Sequence, residues 1–240
     1  MAGSTVSSGW RLVARITAFT WIAWALVLTI AIGGLEPFVL IFAGVPIVAW
    51  ALTLWRPSKV TYTIFGVLGL LVIALNLPFL AEDLAHPESA FGFNTSSAPL
   101  LASLLMVAVG IAAWRPLSDR SASRMWMTAA ILFVIGLAVS IVAALGLEDD
   151  AAAAGDILIA AESAEWTQAS LTASSGTVGI LVENRDPVRH TFTVEQLDID
   201  VELPAGTDRR VEFTAAAGTY AFHCSVPGHE SMTGTIVVGG

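Results

Sequence analysis

Phe222-His223-Cys224-Ser225-Val226-Pro227-Gly228-His229-Glu230-Ser231-Met232-Thr233-Gly234 is the stretch on which the reading of this chain turns. It holds the single cysteine of the 240 residues, with His229 after a gap of four residues and Met232 shortly beyond. Thiolate, imidazole and thioether on one short loop make a soft donor set suited to copper. A lone cysteine is more often a small buried hydrophobe, but here its neighbours carry ligand chemistry at ligand spacing. A second imidazole must come from elsewhere. His190, in Asn184-Arg185-Asp186-Pro187-Val188-Arg189-His190-Thr191-Phe192-Thr193-Val194, is the candidate.

Three features extend the pattern: the upstream Asn…His-Thr-Phe segment, Gly218-Thr219-Tyr220-Ala221-Phe222 leading into Cys224, and Pro227-Gly228-His229 and Met232 before a closing Gly-Thr-Ile-Val-Val strand. On these residues the segment 157–240 resembles a cupredoxin, the type 1 blue-copper family of azurins and plastocyanins. Its loop is most similar to that of azurins, with the histidine-to-methionine gap one residue shorter. The resemblance implies an all-β Greek-key sandwich holding one type 1 copper ion. Cys224, His190 and His229 would form the trigonal plane, with Met232 as the weak axial ligand. It also implies that the Thr191 amide donates to the cysteine sulfur. Asn184, just before the histidine turn, is expected to tie that turn by side-chain hydrogen bonds.

Composition separates this segment from the rest. The chain is 55% hydrophobic and only 13% charged, well above the apolar share of an ordinary soluble domain. Long uncharged runs fill residues 1–147, whereas the remainder alternates like a soluble β domain. Charge divides at the same place: seven Lys/Arg against five Asp/Glu in 1–147, a balance of +2, and four against fifteen in 148–240, a balance of −11. An acidic head argues against nucleic acid as a partner and suits either a plain solvated surface or a partner with a basic patch. One cysteine allows no intramolecular disulfide.

Five runs are long enough to cross a bilayer, at about 12–34, 38–55, 60–81, 98–114 and 125–147. They predict a five-helix membrane bundle, the first helix acting as an uncleaved signal anchor. Trp10, Trp50, Trp55, Trp114 and Trp126 lie near span ends, where amphipathic rings favour the interface. Every Lys and Arg of this half falls in alternate connections: Arg11 and Arg15, then Arg56 and Lys59, then Arg115, Arg120 and Arg124. The Gly33–Pro37 turn and the acidic segment 81–97 carry none. The positive-inside rule then puts the N-terminus in the cytoplasm and the C-terminal head outside, in a multi-pass protein of the cell membrane. Trp55-Arg56-Pro57 recurs as Trp114-Arg115-Pro116. Either a two-helix unit is duplicated, or the same residues suit the same kind of helix end twice. No histidine lies inside a span, which excludes a bis-histidine haem, and His86 falls in the outer segment.

Residues 148–156 read as a short acidic linker, roughly 3.3 Å per residue at full stretch. The head, 157–240, reads as short strands near 156–162, 166–172, 177–184, 190–196, 199–203, 208–214, 218–224 and 233–238, a β-sandwich pattern. His223, beside Cys224 on a strand, points to the opposite face. Four histidines in all leave too few for a trinuclear catalytic centre within one chain, so the expectation is a carrier and not an enzyme; a catalytic subunit sharing copper between chains would need His223 at an oligomer interface. The head would pass single electrons between protein redox partners outside the membrane. The alternative is copper binding and delivery for homeostasis.

Overall fold

The computed structural model describes residues 6–32, 34 and 37–240. Residues 1–5, and Gly33, Leu35 and Glu36 of the first expected turn, lie outside them. The chain divides into two compact units, Met1–Leu84 with Asn94–Ala138, and Ala85–Phe93 with Val139–Gly240.

The helical region contains α1 (Ser8–Ile32), α2 (Pro37–Trp55), α3 (Lys59–Leu75), α4 (Leu77–Ala85), α5 (Ala90–Ala112) and α6 (Asp119–Leu145). Four of these, α1, α2, α5 and α6, are long and apolar enough to cross a membrane, and α3 with α4 adds a fifth if that bent pair is one span. The third expected span is therefore not a straight helix. It bends by 64° at Asn76, whose backbone N–H caps α3 on Val72 and Ile73 and whose Nδ2 donates to the Val72 carbonyl at 2.8 Å. Pro78 then sits in the first turn of α4, where a missing N–H leaves no helical bond unmade.

The fourth expected span is only the later part of α5, and the segment read as an outer loop, 81–97, is largely helical. Pro99 lies inside α5 and has no N–H for the Thr95 carbonyl four residues back. The Trp24 indole donates to that carbonyl at 2.7 Å. Helix α5 packs into the helical core through Ala102, Leu105, Met106, Ala108, Val109 and Ala112, whereas most of the apolar side chains of α6 are exposed. Where it crosses α3 the backbones touch, since a Cβ on Gly66 would stand 2.9 Å from the Gly110 Cα. Such close approach needs small residues at the crossing.

Three cation-bearing segments meet at one end of the helical unit. The Asp119 carboxylate, at the start of α6, accepts from the Gly9 amide at 2.9 Å and the Ser8 hydroxyl at 3.0 Å, at the start of α1. Trp114 donates its indole N–H to Thr63 Oγ1 at 2.6 Å, and Lys59 Nζ stands 5.1 Å over the Trp114 ring. Trp55 and Trp114 are exposed, at 73% and 62%, as expected of interfacial anchors. Trp10 instead turns inward, at 1% exposure, into the helical core.

The head is a two-layer β-sandwich. Its strands are β1 (Ile157–Glu162), β2 (Glu165–Trp166), β3 (Ser170–Ser174), β4 (Gly176–Asn184), β5 (His190–Val194), β6 (Ile199–Leu203), β7 (Asp208–Ala215), β8 (Gly218–His223) and β9 (Thr233–Gly239). One sheet has the order β2-β1-β4-β7 and the other β3-β9-β8-β5-β6. The expected strand 166–172 is two strands, because the chain changes sheet between them: β2 pairs with β1, and β3 pairs with β9. Period-2 alternation sends Phe192 and Val194 of β5 and Phe222 of β8 into the shared core with Trp166, Ile180 and Ile236.

Residues 148–150 do not hang free as a tether. They lie along β7, the edge strand: Asp150 donates its amide to the Asp208 carbonyl at 3.1 Å, and the Asp149 and Asp150 carboxylates accept from the Asp208 and Arg210 amides at 3.1 and 2.9 Å. Farther along, Arg210 forks onto Asp156 at 2.7 and 3.0 Å. An edge covered in this way offers fewer open backbone groups to a foreign strand.

Candidate metal centre

The sandwich brings three of the expected donors to one end of its core. His190 opens β5, Cys224 immediately follows β8, and His229 lies on the loop between β8 and β9. One ligand atom from each lies within 4.8 Å of the others. Cys224 Sγ is 3.8 Å from His190 Nδ1 and 3.6 Å from His229 Nδ1. The two imidazole rings lie 4.6 Å apart, inclined by 33°. Met232, at 1% exposure, is packed into the same core immediately before β9.

The separations suit a metal ion. A trigonal site with first-row bonds of about 2.0 Å to nitrogen and about 2.3 Å to sulfur needs sulfur–nitrogen distances of about 3.7 Å. Two imidazoles, one thiol sulfur and a nearby thioether are also the soft set preferred by copper over harder divalent ions. The residues present therefore fit a type 1 copper ion.

The loop is held independently of any ion. Cys224 donates its amide to the Met232 carbonyl at 3.0 Å, Met232 donates to the His229 carbonyl at 2.9 Å, and His229 to that of Val226 at 3.1 Å. Gly228 takes φ of +90°, a conformation that L side chains avoid, and its amide reaches Glu230 Oε1 at 3.0 Å. Thr191 connects the loop to β5. Its amide points at Cys224 Sγ from 3.4 Å, and its hydroxyl accepts the Ser225 amide at 2.7 Å.

Asn184, at 2% exposure, organises the turn before His190. Its Nδ2 reaches the Val188, Leu203 and Pro204 carbonyls at 2.9, 2.8 and 3.1 Å, and its Oδ1 accepts the Asp186 amide at 3.0 Å.

Asp186 is the site residue that the sequence reading did not single out. In the sequence it is only the first residue of Asp186-Pro187, an ordinary turn dipeptide. In the fold its carboxylate accepts the Ser163 and Ala164 amides at 2.7 and 2.9 Å and lies 2.9 Å from His190 Nε2. The one available signal was its position four residues before a candidate ligand; the amides that reach it come from a distant turn. His223 faces away from the centre, 4.0 Å from Glu195 Oε1, and His86 pairs with Glu88 at 2.9 Å.

Burial, and then neighbouring His190, push His229 down to about 4. Burial also lowers His190, against the opposing pull of Asp186. Burial of Asp186 acts to raise its carboxyl, but the Ala164 and Ser163 amides and His190 outweigh it and hold it below the usual range. A histidine held low stays neutral in the fold, while the unfolded chain takes up a proton near the ordinary value of 6.5. The metal-free head should therefore lose stability as pH falls from 6.5 to about 4, with the His229 contribution levelling off below that. Thermal melts of copper-free protein across this window check it. The midpoint should fall with pH, and less steeply in His229→Gln; equal slopes for both would contradict the assignment.

Several solved structures show similarity to the chain. Two reduced amicyanin variants are each 22% identical to it, over 37% of this chain and 86% of theirs, with TM-scores of 0.31 and 0.32. A third amicyanin variant, described as Cu(I), is 20% identical over the same shares with a TM-score of 0.30. No curated protein sequence matches the chain. Residues 129–238 match the family model described as the cupredoxin-like domain. With the two-sheet sandwich and its His/Cys/His group at one end of the core, the C-terminal part of this chain is a cupredoxin-like domain, preceded by a region of four to five long apolar helices.

Proposed function

We propose that this protein is a membrane-anchored electron carrier whose head holds one copper ion and exchanges single electrons with protein partners on the extracytoplasmic face. One observation carries the reading: the Cys224, His190 and His229 donor atoms already stand at metal-binding separations, Cys224 and His229 on a loop tied by its own backbone bonds and His190 at the start of β5. Bound copper supplies a one-electron change between Cu(I) and Cu(II). The chain's task is to offer one donor geometry to both states, so that little rearrangement accompanies the transfer. Thr191, Ser225 and the Cys224–Met232 bond hold the sulfur, and the Asn184 bonds hold the His190 turn. Of the three donors, His190 and Cys224 are buried and His229 is part-exposed, so its ring edge is the exit for the electron. Burial of two donors, with one ring edge near solvent, favours a carrier over an enzyme.

The outward placement of the head is supported by the charge pattern. The three cationic segments can share the cytoplasmic side only if bent α3–α4 crosses the bilayer together with α5. Five crossings then leave the head opposite the N-terminus.

The test uses the full chain in detergent and in sealed vesicles. Cu(II) should produce an intense blue thiolate-to-copper absorption that bleaches on one-electron reduction and returns on oxidation. Protease should reach the head only on the vesicle face opposite the cationic loops. A colourless, Cu(I)-only protein would replace this reading with copper delivery, and a head protected on that face would reverse the orientation.

A further inference from the structure

The contacts of Asp186 lead back to an unusual turn. Ser163 and Ala164 form the two-residue connection between β1 and β2, where Glu162 pairs with Glu165. Both hold left-handed backbone, with φ of 57° and 55°. L residues avoid this region because Cβ crowds the neighbouring carbonyl oxygen, and hairpins that need it at both positions favour Asn-Gly or Asp-Gly. Ser-Ala has no such preference. What holds the turn is the pair of amide bonds to Asp186, Ser163 N onto Oδ1 and Ala164 N onto Oδ2.

The same Oδ2 lies 2.9 Å from His190 Nε2. An ionised carboxylate only accepts hydrogen bonds, so Nε2 must carry the ring proton. Nδ1 is left with its lone pair on the Cys224 side, 3.8 Å from Sγ. His190 is 0% exposed, so no water competes for either nitrogen. Asp186 is itself fixed at its backbone by Asn184 Oδ1.

We propose that Asp186, braced by the Ser163–Ala164 turn, is the positioning residue that fixes His190 in its Nε2–H form with Nδ1 facing Cys224. Its effect on copper rests on the copper reading above; the placement of the proton does not. A carboxylate behind a ligating imidazole makes that ring a stronger donor. Its negative charge also favours the more highly charged Cu(II) over Cu(I). Arg189, the cation next to His190 in the chain, is paired with Glu202.

The experiment uses the full chain in detergent with 15N-labelled histidine, whose four residues give few signals to assign. In the metal-free protein His190 should be the Nε2–H tautomer. In Asp186→Asn one of the two oxygens becomes an N–H donor; the remaining oxygen is drawn to the Ser163 and Ala164 amides, Nε2 then faces a donor and must accept, and the Nδ1–H form should appear. In the same variant Cu(II) affinity should fall about 10–100-fold with Cu(I) affinity little changed. That corresponds to a rise in potential of about 60–120 mV, at roughly 59 mV per tenfold for one electron. Asp186→Glu, which keeps the charge, should recover part of both changes. If Asp186→Asn does not fold, the double variant with Ala164→Gly removes one strained L residue and carries the same measurements. Unchanged tautomer and potential in the Asn variant would overturn the proposal while leaving the copper reading intact. A native chain that binds no copper but shows His190 as Nε2–H, lost in the variant, would overturn the copper reading and support the placement by Asp186.

Discussion

Cys224→Ser should abolish the blue absorption outright and reduce Cu(II) affinity by more than the roughly 10–100-fold that outer contacts to a metal ligand are worth. Serine keeps nearly the same volume at a position only 3% exposed, so the head should stay folded. What changes is the donor. A thiol gives up its proton on metal binding and bonds covalently to copper, whereas a hydroxyl is a hard, neutral donor poorly matched to it. The Thr191 amide, now 3.4 Å from sulfur, would meet an oxygen and keep a partner. The measurement is a Cu(II) titration of the full-length variant by visible absorption, with circular dichroism to confirm the fold. A blue colour surviving in Cys224→Ser would mean that the sulfur is not a ligand.

Phe222→Ala should give the largest loss of stability from a single side chain in the head, about 3–5 kcal/mol. Phe222 is 1% exposed. It stacks on Phe192 with centroids 5.1 Å apart and meets the edge of Trp166 at 5.6 Å. Opposite it on β9 is Gly234, whose missing side chain leaves room for the ring: a Cβ there would stand 2.2 Å from the Phe222 Cζ. Gly234 has no side chain to fill the space, and Phe192 and Trp166 are themselves buried in the core, so most of the cavity should persist. Domains of this kind are stable by only roughly 5–15 kcal/mol, and the metal-free variant should approach its unfolding threshold. Copper at a thousandfold excess over its dissociation constant would restore about 4 kcal/mol. Limited proteolysis of the head, with and without copper, reads both effects. A metal-free variant as resistant as the parent would show that the core recloses around the deletion.

The division into an apolar helical half and a β-sandwich head was legible because each rests on local periodicity. Uncharged runs longer than a bilayer is thick, and alternation at period 2, need no knowledge of what packs against them. The Cys224–His229–Met232 loop was legible for a related reason, since ligand chemistry within nine consecutive residues leaves little to tertiary chance. The bend at Asn76 was less visible, because its apolar run continues unbroken through a side chain that caps the preceding helix. The start of α5 at Ala90 was less visible too, because Pro99 stands near the beginning of the expected span 98–114 and only the fold shows Trp24 on the carbonyl that it leaves without a helical partner.

Sequence by itself determined that this chain has a membrane-type helical half and a β head, and which residues have the chemistry to hold copper. Only the tertiary structure decided that Asp186 stands behind His190, because the amides that fix it belong to Ser163 and Ala164, more than twenty residues away in the chain. A hydrogen bond across that distance depends on how two sheets stack, and no local pattern of residues records it.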